Sequence, residues 1–204
     1  MNMLENLLEQ LDLTNITLVC QDWGGLLGLP LAIRNQDRFA RLVIMNTGCP
    51  TGEETPTEGF LKWRAAAEKM EDMPVGYIIQ GATVNELTQD IIDAYDAPFP
   101  DASYKAGAHT FPLLVPISTD MEAVQYTGPA KAALKEWTKP ALVMFSDKDP
   151  VTKGGDKAFR RLIPSASEEP EILIEDGGHF LQEDKGEEIA QHIVEFIGRR
   201  PING

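Results

Sequence analysis

The chain has 204 residues, 43% of them hydrophobic, which is enough for one domain with a sizeable core. A net charge of −14 argues against nucleic acid and anionic membrane surfaces as partners. No apolar run is long enough to span a bilayer, and the acidic start Met1-Asn2-Met3-Leu4-Glu5-Asn6 lacks the basic residues of a secretory signal. The two cysteines, Cys20 and Cys49, each lie on or beside an apolar run and read as buried thiols of a reducing, cytoplasmic compartment. No Cys/His spacing resembles a metal site.

Leu4, Leu7, Leu8 and Leu11 recur at helical spacing, so the chain opens with an amphipathic helix. After a break at Asp12 to Asn15, the run Ile16-Thr17-Leu18-Val19 reads as a strand covered on both faces. A buried helix follows over Leu26 to Ile33, then a strand over Arg41 to Asn46. Strand, helix and strand in so short a span predict a βαβ unit with parallel strands. From 51 to 137 the pattern changes to helical pieces broken by Pro and Gly, namely Gly59–Glu71, Val84–Tyr95 and Asp120–Trp137. The sheet pattern returns at Ala141 to Phe145 and again at Ile172 to Ile174, with a helix between them over Ala158 to Leu162. Ile189, Ile193, Val194 and Ile197 form the apolar stripe of a closing helix that Gly198 ends. The expected architecture is therefore α/β, with a mostly parallel sheet built from 1–50 and 138–204 and a helical insertion at 51–137.

The first strand runs into Cys20-Gln21-Asp22-Trp23-Gly24-Gly25. Small residues two before and two after a central nucleophile are the pattern of a nucleophile elbow, a strand-to-helix turn that exposes the central side chain. Here that residue is Asp22. A carboxylate displaces leaving groups from saturated carbon and leaves an ester on the enzyme. Taken alone, Asp22 serves equally well as a helix cap. Asp149 and His179 also stand just past strand ends, where ligands bind in open α/β sheets. Nucleophile, acid and base thus follow the chain order of the α/β-hydrolase arrangement. His179 comes after Gly177-Gly178, a close-approach pair, and would take a proton from water while Asp149 fixes its tautomer. Asp147 competes for the acid role, whereas His109 and His192 read as structural or surface residues. Trp23 is either a core residue or an indole donor aimed at a departing anion.

These residues together resemble a known family. Gln21-Asp22-Trp23-Gly24-Gly25-Leu26-Leu27-Gly28-Leu29-Pro30, Arg38-Phe39, Leu42-Val43-Ile44-Met45-Asn46, Gly59-Phe60-Leu61-Lys62-Trp63, Ala97-Pro98-Phe99-Pro100-Asp101, Phe111-Pro112, Asp149 and Gly178-His179-Phe180-Leu181-Gln182-Glu183 are similar to haloalkane dehalogenases. The likeness runs across essentially the whole chain and points to the subfamily with two halide-binding tryptophans. It implies an α/β-hydrolase fold with a helical cap. Asp22 is then the nucleophile, His179 the base and Asp149 its supporting acid. Trp23 and Trp63 are the implied halide donors, and Phe60 is part of the substrate pocket. Haloalkane, halide ion and water are the implied small-molecule partners, with no metal or organic cofactor and a detoxifying role.

Family members carry further strands ahead of the opening helix, including a His-Gly-x-Pro segment that supplies half of the oxyanion hole. No His-Gly pair occurs here. The expectation is a truncated chain whose elbow strand keeps a free apolar edge open to self-association. Loss of one oxyanion donor costs about 2.7–4 kcal/mol of barrier. Two rival functions follow. An epoxide hydrolase would use Tyr77, Tyr95, Tyr104 or Tyr126 to protonate the epoxide oxygen, and a non-catalytic remnant would persist as a binding or assembly module.

Overall fold

The computed structural model describes residues 1–202. Helix α1 (Asn2–Gln10) leads to strand β1 (Ile16–Asp22), helix α2 (Trp23–Arg34) and strand β2 (Phe39–Thr47). Five helices then separate β2 from β3 (Ala141–Ser146): α3 (Glu58–Lys69), α4 (Val75–Gly81), α5 (Gln89–Asp96), α6 (Ala106–Leu114) and α7 (Val124–Leu134). Helix α8 (Gly155–Leu162), strand β4 (Ile172–Ile174) and helix α9 (Leu181–Arg199) complete the described chain. The four strands form one sheet in the order β1-β2-β3-β4, and every pair is parallel, as the βαβ reading requires.

Both faces of β2 and β3 are covered, which is why these strands read as continuous apolar runs rather than alternating ones. Leu42 and Ile44 of β2 point to the face where Leu29 of α2, Leu134 of α7 and Phe159 of α8 pack. Val43 and Met45 point to the opposite face, against Leu181, Ile189 and Phe196 of α9. Each such side chain, fully buried, contributes about 1.5–3 kcal/mol.

The structure departs from the expectations in four places. On β1, Val19 stands beside Val43 but is 45% exposed, because α9 packs over the other strands and leaves one face of β1 open. The stripe on α9 is Ile189, Ile193 and Phe196, one face at helical spacing, while Val194 and Ile197 lie to its side and are exposed. That helix also runs one residue past Gly198. The helix expected over Val84 to Tyr95 is replaced by the irregular stretch that follows α4 and by α5. There the N–H groups of Val84 and Asn85 donate to Asp184, and that of Leu87 donates to Gln80, so i−4 carbonyls are not used. Helix α6 forms despite Gly107 and Pro112, whose breaker signal hid it in the sequence. No helix among the described residues is long and apolar enough to cross a membrane.

Candidate active site

Asp22 ends β1 at φ 49°, ψ −120°, a backbone conformation that a non-glycine residue rarely adopts. Such strain, of order 1–3 kcal/mol, persists only where neighbours enforce it. Thr47 Oγ1 donates to the Asp22 carbonyl from the next strand. A Cβ built on Gly25 would lie 2.1 Å from that same Oγ1, so only glycine lets α2 start this close to β2. A Cβ on Gly24 would come within 3.2 Å of the Cys20 Cβ, which accounts for the small residues on both sides of the elbow.

The three expected acid–base residues converge. His179 Nδ1 lies 3.0 Å from Asp149 Oδ2, and its Nε2 lies 3.2 Å from Asp22 Oδ1. The His179 and Asp149 side chains are only 9% and 1% exposed, whereas that of Asp22 is 44% exposed and faces open space. Asp149 is fixed by the N–H groups of Val151 at 2.7 Å and Thr152 at 3.3 Å, and by the Thr152 hydroxyl. Asp147 pairs instead with Lys148 near the surface. His109 donates to the Met70 carbonyl, and His192 sits beside Glu188 on α9.

Burial alone would lower the His179 pKa. Hydrogen bonds donated to Asp149 and Asp22, reinforced by the charges of those carboxylates, outweigh it and raise the pKa to about 9. Burial would likewise raise Asp149, but its bonds to His179, Thr152 and Val151 hold it below the ordinary carboxylate value. The raised pKa favours the protonated ring, whose two nitrogens face the Asp149 and Asp22 carboxylates.

A cavity of about 640 Å³ opens on Asp22 and His179 and is lined by Trp23, Phe60, Trp63 and Phe111 among other mainly apolar groups. Trp23 comes from the first turn of α2 and Trp63 from α3, and Trp23 stacks on Phe111 with ring centroids 4.7 Å apart. A second cavity of about 600 Å³ shares Asp22, Trp23 and Phe60 but does not reach His179. None of the tyrosines lines either cavity. Tyr77 and Tyr104 are exposed, and the Tyr95 hydroxyl is bonded to Glu183.

Residues to which the sequence assigned no role of their own hold His179 in place. Gln21 Nε2 donates to the His179 carbonyl at 3.0 Å. Asn46, fully buried at the end of β2, donates to the carbonyls of Gly178 at 2.9 Å and His179 at 3.1 Å, and to Ser146 Oγ at 2.7 Å. An Asn closing the apolar run Leu42-Val43-Ile44-Met45 was the available signal, since a buried amide needs partners. No cluster of three or more His, Cys, Asp or Glu side chains suited to a metal ion occurs among the described residues.

Residues 2–186 match the family described as the alpha/beta hydrolase fold. A haloalkane dehalogenase of Psychrobacter cryohalolentis is 50% identical over 200 residues, covering 98% of this chain and 66% of the relative. One from Mycobacterium marinum is 41% identical over 188 residues, covering 92% of this chain and 63% of the relative. The tetrameric haloalkane dehalogenase structure from Paraglaciecola agarilytica superposes with a TM-score of 0.85 at 36% identity, over 94% of this chain and 63% of that one. The chain thus spans just under two thirds of the length of these relatives. With a parallel sheet, a strained elbow at Asp22 and a family match over most of its length, the chain belongs to the α/β-hydrolase fold family.

Proposed function

We propose that this chain carries the catalytic machinery of a haloalkane dehalogenase. The supporting observation is Asp22, bonded to a His179–Asp149 pair, facing an apolar cavity that also contains two indoles. Residues 51–137 are read as a helical cap over a core formed by 1–50 and 138–204.

In the first step an Asp22 carboxylate oxygen attacks the halogen-bearing carbon from the side opposite the halogen. A C–O bond forms, the C–halogen bond breaks with its electron pair, and the halide departs toward the N–H groups of Trp23 and Trp63. Phe60 shapes the apolar wall against the alkyl group. Alkylation removes the charge on Asp22, and with it one of the two anions that raise His179. The imidazolium then gives up its proton at a lower pH than in the free protein and becomes the neutral base the second step requires. His179 takes a proton from water, the oxygen attacks the Asp22 ester carbonyl, and alcohol leaves as the carboxylate reforms. Asp149 stabilises the imidazolium that appears transiently. The backbone N–H of Trp23 is the oxyanion donor in this reading. The compartment is read as cytoplasmic from two buried free thiols.

An epoxide hydrolase would need an acid over the epoxide oxygen, and the absence of tyrosine from both cavities disfavours it. The test is halide release from 1,2-dibromoethane and 1-bromobutane by the purified chain beside its Asp22→Asn variant. Release that disappears in the variant supports the reading. Conversion of styrene oxide without halide release from either bromide overturns it.

A further inference from the structure

Asp184 stands at the end of the first turn of α9, just before Lys185 leaves helical geometry at φ −138°, ψ 35°. The turn is thereby set apart from the long helix, and the Asp184 carboxylate points back toward the His179 loop. One carboxylate oxygen accepts from the Gly178 N–H at 2.7 Å. The carboxylate also accepts from the N–H groups of Val84 at 3.0 Å and Asn85 at 2.8 Å, in the irregular stretch between α4 and α5. Asn85 Nδ2 returns a bond to the Asp184 carbonyl at 3.1 Å. Two further contacts join the same segments: the Phe180 N–H donates to the Ala82 carbonyl at 3.3 Å, and Tyr95 of α5 bonds to Glu183. A Cβ on Gly178 would lie 2.4 Å from the Ala82 carbonyl oxygen, so glycine is needed for the two segments to meet.

The peptide carrying His179 is therefore held from two sides. On the core side, Asn46, Ser146 and Gln21 satisfy the carbonyls of Gly178 and His179. On the cap side, a charged acceptor holds the Gly178 N–H, and charge-assisted bonds of this kind are about twice as strong as neutral ones. We infer that Asp184 is a positioning residue for His179: it clasps the catalytic loop to the α4–α5 segment, so that the seating of the cap and the placement of the imidazole are one event. This rests on the dehalogenase reading for its kinetic consequence but not for its geometry. Asp22 belongs to β1 and takes part in none of the clasp's hydrogen bonds, so the two chemical steps respond differently to loss of the clasp. Alkylation needs Asp22 and the indoles, whereas ester hydrolysis needs His179 in place.

The experiment uses the whole chain and its Asp184→Asn and Asp184→Glu variants. The imidazole of His179 is titrated by NMR, assigned with a His179→Asn control, and hydrogen exchange is followed at the Gly178, Val84 and Asn85 amides. The charged groups facing His179 are Asp149 and Asp22, with Lys148 on the same cavity wall. In Asp184→Asn the His179 titration is expected to move toward that of a free histidine, and the three amides to exchange faster together. With bromobutane, the halide burst is expected to persist while ester hydrolysis slows by about tenfold or more and alkylated protein accumulates. Asp184→Glu keeps the charge and restores part of each effect, and it supplies the readout if the Asn variant does not fold. Unchanged His179 titration and unchanged Gly178 exchange in a folded variant overturn the inference. Absence of any Asp22-dependent burst in the parent chain counts against the dehalogenase reading alone, because titration and exchange still judge the clasp.

Discussion

His179 is held between two carboxylates, and this one residue sets two testable behaviours. Under the proposed dehalogenase mechanism, replacing it with Asn leaves Asp22 free to attack carbon but removes the base for the second step. The expected outcome is a stoichiometric halide burst without turnover, and a protein heavier by one alkyl group in its mass spectrum. The second behaviour is stability against pH. The folded pKa of about 9 exceeds the ordinary 6.5, so the stabilising contribution is complete below about 6.5 and is lost as pH rises through about 9. Asp149, held below its ordinary 3.8, contributes stability that is lost as pH falls through the acid range. Urea midpoints should therefore decline on both sides of neutrality, and His179→Asn should flatten the alkaline decline. A variant whose alkaline limb matches the parent would place the linkage elsewhere.

Among the elements, the β1–α2 elbow has the least room for change. Gly25 touches the Thr47 side chain, and an added methyl group must displace either that side chain or the start of α2. Gly25→Ala is expected to destabilise the fold by about 1–3 kcal/mol, read from chemical denaturation. It should also weaken Asp22 alkylation more than substrate binding, because the turn that presents the carboxylate shifts. The elbow was legible in the sequence because a tight strand-to-helix turn demands small residues at fixed positions, and Cys20 and Gly24 supply them. The α4–α5 stretch was not legible, because its backbone partners are side chains distant in sequence. Asp184 is about a hundred positions from Val84, and no local pattern announces that bond.

The sheet as a whole has an open side. β1 pairs with β2 alone among the described strands, and Val19 is 45% exposed beside the buried Val43 of β2. An edge of this kind is a template for pairing with another chain. The isolated 204-residue chain is expected to self-associate with rising concentration, and Val19→Lys to reduce that association without loss of the βαβ core. Sedimentation velocity checks it: equal association in parent and variant would remove this face from consideration.

What the sequence determined by itself was set by short-range rules. Apolar runs, small elbow residues and breaker positions fixed the βαβ core, the order of Asp22, Asp149 and His179 along the chain, and the likeness that singled out Trp63 and Phe60. For the acid, the sequence preferred Asp149 to its competitor Asp147, and the tertiary structure sets Asp149 3.0 Å from His179 while Asp147 pairs with Lys148. Tertiary structure likewise brought Asn46, Gln21 and Asp184 around the His179 peptide, and it kept the tyrosines away from the cavity. A buried polar group takes its meaning from partners that chain folding supplies from far away, and neither periodicity nor composition encodes which partners those are.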